Sequence, residues 1–244
     1  MRGLAAAACL LLSFPAASKE SSVRKRSSPK REPSALALES LGKGLASYQA
    51  ARFDEAIESL TQAMTEHPGW KTAAAFRAMC RWTSGDEEGA REDAEAGLQL
   101  KPDGAQAHTA RGLARFVLKR MSEAAEDFTA AAAADPKYAL AHFGLGSVLS
   151  SQNRPKDALK HLNRAVELAP DAAVVRVVRG TVRDKLRDFA GAAVDYTAVL
   201  RVAPAFEWAH YYRGRAYREM RKYPEAVEDF TAFLRKNPDY VPRS

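Results

Sequence analysis

Three histidines, His108, His142 and His210, stand in register with a period of 34, and histidine is the side chain best suited to bind a transition metal or move a proton near neutral pH. A metal would need its ligands within ~2.1 Å of one ion. Residues one structural period apart are separated by at least a helix spacing, roughly 8–10 Å. The histidines therefore read as packing residues, and no metal site is expected. A second series is more regular. Arg77, Arg111, Arg179 and Arg213 are each followed, always at the same interval, by an acid: Asp93, Asp127, Asp195 and Asp229. Where the arginine is missing the aspartate is missing too: Lys43 is matched with Ser59 and Leu145 with His161. Coupled presence and absence predicts an ion pair, for which the fixed fork of a guanidinium is well shaped. The functional alternative is a row of arginines for an anionic ligand. Cys80 has no cysteine near it in the sequence and reads as a buried thiol. No Gly-rich phosphate loop, metal-ligand spacing or nucleophile–base motif occurs, so neither catalysis nor a cofactor is expected.

The elements that carry these residues repeat with them. Prolines recur with the same period at Pro68, Pro102, Pro136, Pro170, Pro204 and Pro238. They divide the chain into six units without an insertion: 37–70, 71–104, 105–138, 139–172, 173–206 and 207–240. Each unit reads as a helix A over positions 1–14 and a helix B over 18–31, joined by a short polar turn. The closing proline ends helix B, because it lacks an N–H and restricts the residue before it. Position 8 is small (Gly44, Ala78, Gly112, Gly146, Gly180, Gly214), and position 20 is always alanine (Ala56, Ala90, Ala124, Ala158, Ala192, Ala226). Small residues at both places let the two helices of a unit approach closely.

The last unit, with Gly214, Tyr217, Ala226, Phe230 and Pro238 at positions 8, 11, 20, 24 and 32, resembles a tetratricopeptide repeat. The resemblance covers 37–240. It implies an all-α, right-handed superhelical solenoid of six helix-turn-helix units acting as a protein–protein interaction scaffold, with positions 2, 5, 6, 9, 12 and 13 of helix A lining a concave groove. Carried onto this sequence, those positions give a peptide-binding groove of Leu41, Leu45, Tyr48, Phe76, Met79, Trp82, Leu113, Phe116, Phe143, Trp208, Tyr211, Tyr212 and Arg215. Tyr48, Trp82 and Phe116 are spaced by 34, a ladder suited to an amphipathic helix or an extended apolar peptide. The family's usual aromatic at position 11 is replaced by Ser47, Arg81 and Arg115. If helix A is rotated slightly, the ladder becomes core, and that alternative stays open on sequence alone.

Outside the repeats, positions 1–18 have a basic residue, an apolar run from Leu4 to Phe14 and then small residues, the pattern of a cleaved export signal. The expectation is an exported, periplasmic or secreted protein, with a cytoplasmic location as the alternative. The apolar run is too short to cross a bilayer, and no transmembrane segment is expected. Positions 19–36 are basic and rich in serine and proline, with little apolar surface to drive folding, and read as a disordered linker. The net charge of +7 belongs largely to that linker. The array itself is close to neutral, with acidic first repeats and basic later ones, which argues against nucleic-acid binding through the array. The alternative function is binding to an anionic polymer or membrane surface through the basic tail, the array serving as a spacer. Positions 241–244 form a short tail. With no further helix predicted after 240, the last unit presents an edge at Phe233 that is expected to pack against a partner or a second copy.

Overall fold

The computed structural model describes residues 32–240. The segment 1–18 expected to be an export signal, the basic part of the expected linker and positions 241–244 lie outside the described residues. Twelve helices are present among them: α1 (Ala35–Gln49), α2 (Phe53–Glu66), α3 (Lys71–Ser84), α4 (Glu87–Leu98), α5 (Gly104–Val117), α6 (Met121–Ala134), α7 (Ala139–Ser151), α8 (Pro155–Leu168), α9 (Ala173–Lys185), α10 (Phe189–Val202), α11 (Trp208–Glu219) and α12 (Tyr223–Lys236). No strand occurs among the described residues. Consecutive helices pair, and each pair packs on the next, so the fold is an all-α helical repeat solenoid.

Local chemistry sets the ends. Ser34 caps α1 by accepting a bond from the Ala37 N–H at 3.1 Å. Asp86 and Asp188 cap α4 and α10 through Gly89 and Gly191, each at 2.9 Å. Pro155 opens α8, where its missing N–H has no partner to lose. Between helix A and helix B every unit turns on one left-handed residue, always position 15: Ala51, Gly85, Lys119, Asn153, Arg187 and Arg221, with φ from 57° to 89°. The N–H that follows reaches back over the helix end, as in Asp86 to the Arg81 carbonyl at 2.9 Å and Asp188 to that of Arg183 at 2.9 Å. The turn is thus fixed by hydrogen bonding and not by side-chain identity.

Small residues do what their positions suggest. A Cβ on Gly112 would stand 2.8 Å from the Phe128 ring, one on Gly180 2.7 Å from Tyr196, and one on Gly146 2.6 Å from Leu162. The position-20 alanines are all buried. Packing continues from unit to unit, and one apolar cluster runs from Leu41 in the first to Val182 in the fifth. The solenoid also curls tightly. Tyr48 of the first unit meets Phe143 of the fourth edge-on, with ring centroids 6.5 Å apart. Phe53 meets Phe206, at the end of the fifth unit, with centroids 6.4 Å apart. The first unit therefore folds back against the fourth and fifth.

Candidate partner-binding groove

The arginine–aspartate series forms as ion pairs between the two helices of a unit. Arg77 holds Asp93 with two bonds, Nε to Oδ2 at 2.7 Å and Nη2 to Oδ1 at 2.8 Å. Arg111–Asp127, Arg179–Asp195 and Arg213–Asp229 repeat the arrangement. Each aspartate is buried, and sequence reasoning missed two further kinds of partner. The arginines at position 11 join the same carboxylates: Arg81 on Asp93 at 3.0 Å, Arg115 on Asp127 at 2.7 Å and Arg183 on Asp195 at 2.9 Å. At position 4, His108 and His210 place Nδ1 at 3.2 and 2.8 Å from Asp127 and Asp229. Reading these two histidines as simple packing residues is corrected accordingly. A signal was available, because an arginine at position 11 occurs only in units that also have the aspartate. The guanidinium groups are engaged with carboxylates inside the protein, which favours clamps over an anion-binding row. The fourth unit is built differently. His142 stacks on His161 at 5.9 Å, and burial holds the His161 imidazole below the usual histidine range, with His142 adding to the effect. No group of three or more side chains fit to hold a metal ion occurs among the described residues. Cys80 is buried, and burial pushes its thiol upward.

The thirteen residues expected to line a groove all lie on A helices, and the curl decides how far each is covered. Leu41, Tyr48, Phe76, Met79, Leu113, Phe116, Phe143 and Tyr212 are all buried. Leu45, Trp82, Trp208 and Tyr211 are half-buried, and Arg215 is exposed. Trp82 and Phe116 meet edge-on at 5.8 Å. Tyr48, the third member of the ladder, instead lies between Phe53, Phe76 and Phe143. Between the second and fifth units lies a void of about 30 Å³, lined by Met79, Phe116, Phe143, Ser147, Val177 and Thr181 among others. That is room for one or two water molecules at about 15 Å³ each, and not for a peptide side chain. Trp208 and Tyr211 pack with Phe233 and Tyr240 in an aromatic cluster, with Phe233 5.0 Å from both Trp208 and Tyr240. Phe233 is accordingly buried and not an open edge, because Tyr240 folds over it.

Towards the fifth and sixth units the inner face becomes polar. The Tyr196 hydroxyl donates to Asp184 Oδ2 at 3.0 Å, whereas Asp184 Oδ1 and the Tyr212 hydroxyl are buried with no hydrogen-bond partner. Burial pushes the Asp184 carboxyl up to about 6, against the bond from Tyr196 and the nearby Arg215. In the unfolded chain this group ionises near ~3.9. The folded protein therefore binds the extra proton between about pH 4 and 6, and stability falls as pH rises through that window. Asp184→Asn keeps an acceptor for Tyr196 and cannot ionise. It is expected to add about 1–2 kcal/mol above pH 6, a figure reduced for the partial exposure of the carboxylate, and nothing at pH 4. Urea denaturation at the two pH values checks this; a wild-type curve indifferent to pH in that window would refute it.

Paired helices repeating with a fixed period, small residues at the helix crossings and an inner face made from the A helices define a tetratricopeptide repeat array. Models of the tetratricopeptide repeat match residues 41–105, 81–139 and 109–173, and a second such model matches 208–240. The chain belongs to the tetratricopeptide repeat family. No significant match among curated proteins was found. Among solved structures it is similar to YrrB, described as a TPR protein with an unusual peptide-binding site, at 25% identity over 75% of this chain and 95% of that one, with a TM-score of 0.51. The fold also resembles the Cut9–Hcn1 hetero-tetramer of the APC/C, at 17% identity and TM-score 0.61, covering 84% of this chain and 41% of that one. PilF of Pseudomonas aeruginosa matches at 18% identity and TM-score 0.53, covering 84% of this chain and 93% of that one. Among the described residues no helix is long and apolar enough to cross a membrane.

Proposed function

We propose that this chain is a non-catalytic scaffold that binds a peptide or protein segment on the inner face of its repeat array. Tetratricopeptide repeats bind protein or peptide partners as a family, and the similarity to YrrB, described by its peptide-binding site, supports the reading. The observation that carries it is the inner face itself. Leu45 and Trp82 are half-buried and Arg215 is exposed, and Ser147 and Thr181 add hydroxyl groups to the lining of the void between the second and fifth units. Because the first unit closes on the fourth and fifth, the ligand enters as that unit moves aside. It is a unit without an arginine–aspartate clamp, so fewer polar ties hold its two helices together. Selection of a random-sequence peptide library on the full chain tests the reading. Peptides enriched by the wild type should be lost on Trp82→Ala with Arg215→Ala, both at accessible positions. Phe206→Ala, which removes the ring that Phe53 meets across the closure, should tighten binding. No enrichment by the wild type would overturn the groove reading.

Export directed by the segment 1–18 and self-association at the C-terminal edge belong to the same proposal. A second reading rests on the six basic residues between Lys19 and Arg31, which suit an anionic polymer or membrane surface. Salt-sensitive binding to anionic vesicles, abolished by deleting 19–31, would favour it.

A further inference from the structure

Position 12 of helix A is aromatic in the first three units, as Tyr48, Trp82 and Phe116, and in the fifth it is Asp184. The four buried aspartates of the clamps, Asp93, Asp127, Asp195 and Asp229, each accept from a guanidinium on both oxygens. Asp184 is held differently. Its Oδ2 takes the Tyr196 hydroxyl at 3.0 Å, and its Oδ1 is the one carboxylate oxygen among the described residues that is buried without a partner. A second unpaired group stands beside it. The Tyr212 hydroxyl is also buried and unpaired, on a side chain 3% exposed, and its ring stacks on that of Tyr196 with centroids 5.6 Å apart. Arg215 lies close enough to act electrostatically on both Asp184 and Tyr212, yet it is exposed and donates no hydrogen bond among the described residues. A buried polar group without a partner lowers stability, so an unpaired acceptor beside an unpaired donor points to a ligand that completes the bonding.

The three groups define the chemistry of what fits. A lone cation suits Asp184, but it leaves the Tyr212 proton unpaired and meets the like charge of Arg215. A carboxylate suits Arg215 and meets the like charge of Asp184. An amide offers an N–H for the carboxylate and a carbonyl oxygen with two lone pairs, one for each donor. We propose that Asp184, Tyr212 and Arg215 form an anchoring site for one amide group of the bound peptide, with Asp184 Oδ1 accepting its N–H while the Tyr212 hydroxyl and the Arg215 guanidinium donate to its carbonyl oxygen. This names the polar group that the inner face selects, and it rests on the reading of that face as a peptide-binding surface. Arg215 has no hydrogen bond to break, so its movement admits the amide to the buried pair. The amide belongs to an Asn or Gln side chain or to the peptide main chain, since both carry the same two groups.

Calorimetric titration of the full chain at neutral pH, with the peptide most enriched from a random-sequence library, tests it. Tyr212→Phe and Asp184→Asn should each weaken binding at least about tenfold, the effect of stranding one hydrogen-bonding group, and neither should lower the melting temperature. The two readouts together separate a binding group from a structural one. Phenylalanine removes a hydroxyl that bonds to nothing in the free protein. Asparagine, with its oxygen still accepting from Tyr196, turns an N–H to the ligand where an acceptor stood. In the peptide, each Asn or Gln is exchanged for Ala and each main-chain amide for an ester. One such change should cost as much with the wild type and little with Asp184→Asn; an Asn or Gln position marks a side chain and an ester position the main chain. Wild-type affinity in both protein variants would overturn the amide site and leave peptide binding on the inner face standing. A lowered melting temperature in both would also overturn it, since the two groups would then be supports of the fold. No enriched peptide would overturn the site together with the reading on which it rests.

Discussion

Asp127→Asn is expected to destabilise the protein by about 3–5 kcal/mol, the effect typical of breaking a buried ion pair from one side. The Asp127 side chain is 1% exposed and accepts bonds from Arg111 and Arg115 at 2.7 Å, with His108 alongside at 3.2 Å. Asparagine preserves the shape but removes the charge, leaving two arginines clustered in a site with little access to water. Arg111 is held above the ordinary arginine range chiefly by its bonds to Asp127, and that stabilisation disappears with the carboxylate. The contrast is Asp157→Asn, whose partners Arg154 and Lys160 are 58% and 78% exposed. That change should leave the unfolding curve essentially where it is, because water screens the pair. Urea denaturation of both variants against the wild type measures the difference. A cost below about 1 kcal/mol for Asp127→Asn would show that the clamp contributes little to folding.

The fourth unit shows why the cost belongs to breaking the clamp and not to lacking it. Leu145 and His161 occupy the arginine and aspartate positions, and the site packs without a buried charge pair. Exchanging both partners for less polar groups of similar size is often close to neutral, whereas losing one strands the other. The same comparison explains what the sequence disclosed. Six tandem copies act as internal controls, so a pairing that is kept or lost as a unit is legible. Arg81 and Arg115 were less so when set against the family's usual aromatic at position 11. Their relation to the aspartate at position 23 is what matters, since that interval places both on the facing surfaces of one unit. The left-handed residue at position 15 was not legible at all. Ala51, Lys119, Arg187 and Arg221 share no side-chain chemistry, and only Gly85 and Asn153 are residues that favour that backbone conformation.

The closure of the inner face depends on a quantity no local pattern contains. Each unit rotates slightly relative to the last, and the rotations accumulate over the array. Whether Tyr48 faces a groove or meets Phe143 depends on that sum, so the thirteen inner-face residues could be placed on one surface without revealing how much of it is covered. The aromatic spacing of 34 is compatible with either outcome. Burial separates Tyr48 and Phe116 from Trp82, which retains access to solvent.

Gly144→Ala and Gly42→Ala should have opposite effects, although both glycines lie at position 6 of helix A. A Cβ at Gly144 would stand 2.6 Å from Phe128 Cγ and closer still to two other ring carbons. Phe128 is fully buried and is already pressed from the other side by Gly112, where an added Cβ would fall 2.8 Å away. The ring has nowhere to retreat, and overpacking of this kind costs about 1–3 kcal/mol, less the gain in helix propensity from removing a glycine. Among the described residues Gly42 has no atom within 4 Å of the same added carbon. Alanine there should stabilise α1 by about 0.5–1 kcal/mol through backbone entropy alone. Thermal or urea unfolding of the two variants reads the sign directly. Adding Phe128→Leu to Gly144→Ala should recover part of the loss, since a smaller side chain makes room for the methyl group, and the resulting coupling energy isolates this one contact. Equal responses at the two glycines would mean that the close approach between the third and fourth units does not govern position 6.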